Sequence, residues 1–219
     1  RYTQTLAHEV KAPLAAIRGA AELLDETMPP EQRQKFLANI RNESARIQRI
    51  IERLLELSSL EARKQLRQIE ALPAARIATE AAEVVRPACA ARSVNLTIHD
   101  GRNAMVHGEA VLLREALVNL LQNALDFSPA GAEITLRWST DGSRIVFQVD
   151  DQGPGVPDYA LPRVFERFYS LPRPGTEKKS TGLGLALVRE IAHLHGGEVG
   201  LANRPEGGAR ATLWVPEGR

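Results

Sequence analysis

Leu6-Ala7-His8-Glu9-Val10-Lys11-Ala12-Pro13-Leu14 sets one imidazole beside a carboxylate near the start of a long amphipathic helix, with a proline five residues after the histidine. Around it, Leu6, Val10, Pro13, Ile17, Ala20 and Leu24 step by three and four, the spacing of a helix with a heptad-like apolar seam. Met28-Pro29-Pro30 is expected to end that helix. A second helix, with Glu31 in its first turn, carries the rhythm on through Leu37, Ile40, Ser44, Ile47, Ile51, Leu54, Ser58 and Glu61. Two helices joined by a short turn form an antiparallel hairpin, and one hairpin cannot enclose its own seam. The expected cover is a second copy, giving a dimeric four-helix bundle. Docking of the hairpin on the rest of the chain is the alternative. A lone histidine on a helix is most often an ordinary surface or core residue, so any role for His8 depends on the chemistry carried by residues further along the chain.

The chain has 219 residues, 43% hydrophobic and 25% charged, which suits a soluble protein of one large or two small domains. Its 28 basic and 27 acidic side chains nearly cancel, which argues against a nucleic-acid partner. No window approaches the roughly 18 consecutive apolar residues of a membrane span, and no signal peptide opens the sequence. The first residues, Arg1-Tyr2-Thr3-Gln4-Thr5, lack a Met and already look helical, so the expectation is a soluble fragment whose parent carries any membrane spans upstream. A single cysteine, Cys89, excludes an internal disulfide and fits a reducing compartment.

Near residues 66–72 the helical pattern weakens and the character changes, dividing the chain into 1–66 and 67–219. The second part reads as a helix over 74–91, a strand over 94–98 and a helix over 109–127. Strands over 133–139 and 144–149 follow, with Asp141-Gly142 as a hairpin turn. A helix over 184–195 and strands over 198–202 and 209–215 close the chain. This order predicts an α+β sandwich, a sheet covered on one face by helices.

Three stretches of this second part carry chemistry. On the helix over 109–127, Glu115, Asn119 and Asn123 recur every four residues and share a face, while Leu113, Leu117, Leu120, Leu121 and Ala124 supply apolar contacts. Two amides and a carboxylate offer oxygen ligands to a hard cation such as Mg²⁺. Next, Asp150-Asp151-Gln152-Gly153-Pro154-Gly155 follows a strand directly. A carboxylate there can accept from an exocyclic amine, and the glycines allow close approach to a flat ring. Finally, Ser180-Thr181-Gly182-Leu183-Gly184-Leu185 opens a helix, where free N–H groups and the helix dipole favour an anion. Before it, residues 171–179 combine Pro172, Pro174, Gly175, Lys178 and Lys179, a composition that suits a lid over a ligand. The sequence contains neither a P-loop nor a dinucleotide fingerprint. Each stretch taken alone is also an ordinary solvated face, tight turn or helix cap.

In their order and separation, these stretches together with His8 resemble the sensor histidine kinases of two-component systems, across essentially the whole chain. His8-Glu9-x-x-x-Pro13 is similar to that family's phosphoacceptor box and Asn119-x-x-x-Asn123-Ala124 to its asparagine box. Asp151-x-Gly153-x-Gly155 is similar to the first glycine box, Phe165-Glu166-Arg167-Phe168-Tyr169 to the phenylalanine box, and Thr181-Gly182-Leu183-Gly184-Leu185 to the second glycine box. The resemblance implies a dimerisation and histidine-phosphotransfer bundle in residues 1–66. Residues 67–219 would form an ATP-binding domain of the type shared by histidine kinases, gyrase B, Hsp90 and MutL.

By the same resemblance, ATP and Mg²⁺ are the expected ligands, with Asn123 on the metal and Asn119 beside it. Asp151, Gly153 and Gly155 would hold the adenine, and Thr181, Gly182, Leu183 and Gly184 the phosphates. Arg167, Phe168 and Lys178 would complete the site. His8 would be the nucleophile, since an imidazole of pKa about 6.5 is largely neutral at cell pH, and Glu9 would orient it or take its proton. The implied partners are a second copy of the chain and the receiver domain of a response regulator, with the parent in a bacterial inner membrane. Asp126 departs from the family, which often carries Lys or Arg there, so a cation at the phosphates is expected from Arg167, Lys178 or Lys179. The other readings are an ATPase of the gyrase and Hsp90 type, or a non-catalytic nucleotide-binding dimer module. The former resembles this fold but carries a water-activating Glu where Asn119 stands.

Overall fold

The structure is a computed structural model that describes residues 2–24, 28–99, 101, 103–174 and 180–217, with the side chains of residues 2–5 and 8 outside that description. The chain divides into two compact units, Arg1–Ser58 and Ser59–Arg219.

The first unit holds α1 (Tyr2–Glu22) and most of α2 (Pro30–Glu61). α1 stops at Glu22, before the Pro-Pro pair that was expected to end it, and Pro30 instead opens α2. This follows from proline chemistry, because a first-turn residue has no helical partner for its N–H and the ring presets φ. The seam predicted on α1 is the sheltered face, and Pro13 and Ala20 on it are buried.

On α2 the sheltered stripe differs from the expected one. It runs through Phe36, Ile40, Glu43, Ile47, Ile50, Leu54 and Leu57, so four of these seven positions lie one residue before those predicted. Leu37 and Ile51, predicted for the seam, are exposed, and so is Leu55 at 66%. Apolar residues thus occupy two adjoining stripes of α2, and a count of threes and fours cannot tell which of them a single chain covers. The uncovered stripe is the kind of surface on which a second copy would pack.

The second unit begins with β1 (Glu70–Pro73) and α3 (Ala74–Ala91), followed by β2 (Asn95–His99), β3 (Met105–Gly108) and α4 (Ala110–Phe127). Next come β4 (Glu133–Asp141), β5 (Arg144–Asp150), a 3-10 turn at Leu161–Arg163, α5 (Gly184–Leu194), β6 (Glu198–Asn203) and β7 (Ala209–Pro216). Five strands form one sheet in the order β2-β4-β5-β7-β6, with β2 parallel to β4 and the other pairs antiparallel. The predicted hairpin lies between β4 and β5. Asp141 pairs with Arg144, and Gly142 opens the two-residue loop at φ 60°, the positive value that a type II′ turn needs at its first central residue.

Helices α3, α4 and α5 pack on one face of this sheet. From the sheet, Ile134, Leu136, Ile145, Phe147, Val149, Leu213 and Val215 point into that core with almost no exposure. α4 answers with Leu113, Leu117, Leu120, Leu121 and Leu125, and α3 presents a narrow stripe of Ala74, Ala78, Ala81 and Ala82 that lets α4 come close. Each large apolar side chain enclosed this way contributes about 1.5–3 kcal/mol. A separate two-stranded sheet, β1 against β3, was not predicted: four residues per strand, with Pro73 in one and Gly108 in the other, give alternation too little length to show.

Candidate functional site

α4 is buried along its leucine face, while Glu115, Asn119 and Asn123 remain half-exposed on the polar stripe that the spacing predicted. Asn119 turns its amide N–H₂ back to donate to the Glu115 carbonyl at 2.9 Å, which fixes the rotamer and leaves Oδ1 facing outward. That oxygen meets the start of α5, where a Cβ on residue 184 would stand 3.1 Å from it, so glycine there lets the two helices close on one another. The Asn123 side chain makes no hydrogen bond among the described residues.

α5 begins without a side-chain cap, since Leu183, the residue before it, is apolar and buried. Its first backbone N–H groups therefore have no partner within the helix, and they collect at the positive end of the dipole. The approach to this helix is held by Gly182, in the left-handed region at φ 65°. Its carbonyl accepts from the Phe168 N–H at 2.8 Å, and a Cβ there would lie 2.5 Å from the Phe168 carbonyl carbon. Phe168 is itself left-handed at φ 63°, a costly conformation for a non-glycine residue. The phenylalanine and second glycine stretches thus form one interlocked piece. Ser170 and Ser180 join across the base of the segment between them, hydroxyl to hydroxyl at 2.9 Å.

Asp151 follows β5 and is 6% exposed. Its Oδ1 accepts two backbone N–H groups, from Gly153 at 2.8 Å and Ala209 at 3.0 Å, while Oδ2 has no partner among the described residues. Burial pushes this carboxyl above the ordinary aspartate value. The two N–H donors and the Arg204 charge pull it down, and Asp150 next door adds to the rise. An acceptor oxygen fixed by its twin and open on the other side suits an amine donor on a flat ring.

The turn after Asp151 is bound to the β6–β7 connection by residues that no motif announced. Asn203 accepts from the Val156 N–H and donates to the Val156 carbonyl, both at 2.7 Å, and Arg204 donates to the Asp151 carbonyl at 2.9 Å. Gly155, left-handed at φ 77°, lets Asn203 approach. On the opposite side a Cβ on Gly153 would lie 2.7 Å from the Phe127 carbonyl, which ties this loop to the C-terminal end of α4. Asp150, 1% exposed, binds Arg210 through both oxygens at 2.6 and 2.8 Å and Arg137 at 2.6 Å, anchoring β4, β5 and β7 beside the loop. The only signal for these anchors in the sequence was that they flank a glycine-rich turn.

Asn119, Gly184, Gly182, Phe168, Gly153 and Asp151 are therefore linked from contact to contact around one end of the sandwich. Three other predicted residues are placed differently. Arg167 pairs with Glu61 within the second unit, Lys178 and Lys179 lie outside the described residues, and the cations beside Asp126 are Arg173 and Arg92. In the first unit, His8 is within α1 and its side chain lies outside the description, while Glu9 meets Arg46 of α2 at 3.5 Å.

A buried carboxylate with one oxygen unengaged, a polar stripe facing an uncapped helix start and a one-sided helical cover are features of a nucleotide-binding fold. The sequence profile of the histidine kinase-, DNA gyrase B- and HSP90-like ATPase family matches residues 108–219, and the chain belongs to that family. The profile of the His Kinase A (phospho-acceptor) domain matches residues 1–63.

Among individual proteins, the chain is 45% identical to the sensor protein CreC of Escherichia coli (strain K12), over 97% of this chain and 44% of CreC. The crystal structure of full-length ShkA in complex with AMPPNP is 27% identical with a TM-score of 0.72, covering 97% of this chain and 45% of that one. Histidine kinase ThkA, solved with the response regulator TrrA, shares the fold at 21% identity and a TM-score of 0.82, over 99% of this chain and 61% of that one. The chain spans 30–57% of the length of the first three curated relatives it matches. Among the described residues, no helix is long and apolar enough to cross a membrane.

Proposed function

We propose that this chain is the phosphotransfer core of a sensor histidine kinase. Residues 67–219 bind ATP, residues 1–66 carry the acceptor His8, and the phosphoryl group then passes to an aspartate in the receiver domain of a partner response regulator. The observation that carries this reading is the Asp151 carboxylate, buried and braced through Oδ1 with Oδ2 open. Adenine carries the exocyclic amine that such an oxygen accepts from. Support comes from the profiles on both halves of the chain and from the nucleotide and response-regulator partners of ShkA and ThkA.

In the proposed chemistry a ring nitrogen of His8 attacks the γ-phosphorus, the bond to the β-phosphate oxygen breaks, and ADP leaves. The ring proton passes to Glu9, whose carboxylate Arg46 positions, or to water. Such transfers need alignment and charge stabilisation more than covalent help. Asp151, with Gly153 and Gly155, seats the base, and Thr181, Gly182, Leu183 and Gly184 wrap the phosphates with backbone N–H groups. Phe168 holds that wrap in place, Arg167 and Lys178 would complete the site, and Asn119 faces it. Mg²⁺ fits Asn123, an unengaged amide oxygen beside the phosphate end, and would supply neutralisation of phosphate charge. The described residues hold no cluster of three acidic, His or Cys side chains, which suits a metal bound largely through phosphates and water.

The exposed apolar stripe of α2 supports a homodimer, and the sensor proteins among its relatives support a parent protein anchored in the bacterial inner membrane with this part in the cytoplasm. Incubation with γ-labelled ATP tests the reading. The expected result is an acid-labile, alkali-stable protein label that disappears in His8→Ala. Release of free phosphate without label would mark an ATPase, and neither product would mark a binding module.

A further inference from the structure

Asp126 lies three residues beyond Asn123, so Asn119, Asn123 and Asp126 form one stripe on α4. One end of the stripe meets Gly184 at the start of α5, and the other, at Phe127, meets Gly153 of the Asp151 loop. Position 126 therefore falls between the part of the site that suits phosphates and the part that suits the base. Asp126 there binds Arg173 through Oδ2, Arg92 at 3.8 Å and Gln122 at 3.1 Å. Two guanidinium groups on one carboxylate leave a net positive charge at this point. Arg92 is also committed to the Leu125 and Ser128 carbonyls at the end of α4. Arg173 has no such commitment: its Nε–H is buried and meets no acceptor among the described residues. Nε of Arg63, Arg137 and Arg204 is likewise unmet, so what sets Arg173 apart is its place: it pairs with the α4 stripe that runs from Gly184 to the Asp151 loop.

We infer that Arg173, held in place by Asp126, binds the inner (α and β) phosphates of the nucleotide. The inference rests on the nucleotide reading above and adds to it a residue outside every recognised motif. Asp126 does not leave the site short of a cation. It recruits one from the segment after the phenylalanine stretch, and the guanidinium fork offers several N–H groups, enough to hold the carboxylate and a phosphate together.

The test is displacement of a fluorescent ADP analogue by ATP and by ADP, on the 219-residue chain and on Arg173→Gln, with thermal unfolding to establish that the variant folds. A charge-assisted hydrogen bond corresponds to roughly a ten- to hundred-fold change in affinity. Arg173→Gln is expected to weaken ATP and ADP by a similar factor in that range. Placing the charge directly on the stripe, as Asp126→Lys in the Arg173→Gln background, is expected to restore much of the affinity, which a merely structural role would not allow. Unchanged affinity in folded Arg173→Gln, or a loss confined to ATP, overturns the inference while leaving the nucleotide reading intact. Failure of the unaltered chain to bind either nucleotide overturns the nucleotide reading itself.

Discussion

Replacing Asp151 with Asn separates the two jobs of this side chain. In the native protein Oδ1 is occupied by the Gly153 and Ala209 N–H groups at 2.8 and 3.0 Å, and Oδ2 faces the site. An amide can keep its oxygen on the two backbone donors, so the loop stays formed, but its N–H₂ then replaces the open oxygen. A donor would face the adenine amine, itself a donor. The loss is one hydrogen bond to a charged acceptor, about 1.5–3 kcal/mol, or roughly ten- to hundred-fold in affinity. Because the swap is geometric, it also predicts a reversal: a purine with a carbonyl at that position, as in inosine triphosphate, should lose much less or gain.

Stability should move the other way. The native carboxyl titrates above the ordinary 3.8, so the folded chain holds the proton longer than the unfolded one. This favours folding below pH 3.8, and the advantage is lost as pH rises through the elevated value. At pH 7 the buried charge is a net cost, and Asp151→Asn should melt no lower than the native chain. Calorimetric titration with both nucleotides and a melting curve at pH 7 check these points together. An Asp151→Asn chain that binds ATP as tightly as the native one, with no shift in preference between the two purines, would refute the assignment of Oδ2 to the base.

Gly182→Ala should be severe for its size, because the residue is left-handed at φ 65° and the new methyl would meet Phe168 backbone at 2.5 Å; a loss of about 1–3 kcal/mol in stability is expected, with weaker ATP binding. Asn203→Ala removes both hydrogen bonds to Val156, and ATP affinity should fall although Asn203 belongs to no motif, an effect visible as a higher dissociation constant with the ATP-to-ADP ratio unchanged. His195 is buried and its pKa is held below 6.5, first by desolvation, against the pull of the Ile191 carbonyl and the Glu109 charge. Its Nε2 accepts the Glu109 N–H at 3.1 Å, and a proton on that nitrogen would end the bond. Stability from this group is present above pH 6.5 and lost as pH falls through 6.5 toward the depressed value, so the melting temperature should drop over that interval in the native chain and less in His195→Gln.

What the sequence disclosed and what it withheld divide along one physical line. Residues 74–91 and 109–127 were legible almost to the residue because long helices with one buried face repeat their pattern many times over. The strands β4, β5 and β7 were legible because alternation and a glycine turn agree. The brief β1–β3 pair gave no such repetition. In the site, the glycines proposed to meet a ligand through their own backbone, Gly153, Gly182 and Gly184, sit in compact local motifs. Asn203, Arg204 and Arg210 act on the Asp150–Val156 stretch from about fifty residues away, and their partners could be known only once β5 and β7 were paired.

Asp126 shows the limit most clearly. Read along the chain, an acid where the resemblance expects a cation is a deficit, and the nearby candidates to offset it were Arg167, Lys178 and Lys179. In three dimensions Arg167 is engaged by Glu61, while Arg173 reaches across 47 residues of sequence to Asp126. A carboxylate in such a place need not oppose an anion. By fixing a guanidinium that has more donors than the carboxylate can satisfy, it can present a positive charge whose position is better defined than that of a lysine on a flexible stem, because the Asp126 contact holds the planar fork before any ligand arrives. The sign of one residue is therefore a poor guide to the sign of the surface it helps to build, and the relevant unit in this site is the Asp126, Arg92 and Arg173 group taken together.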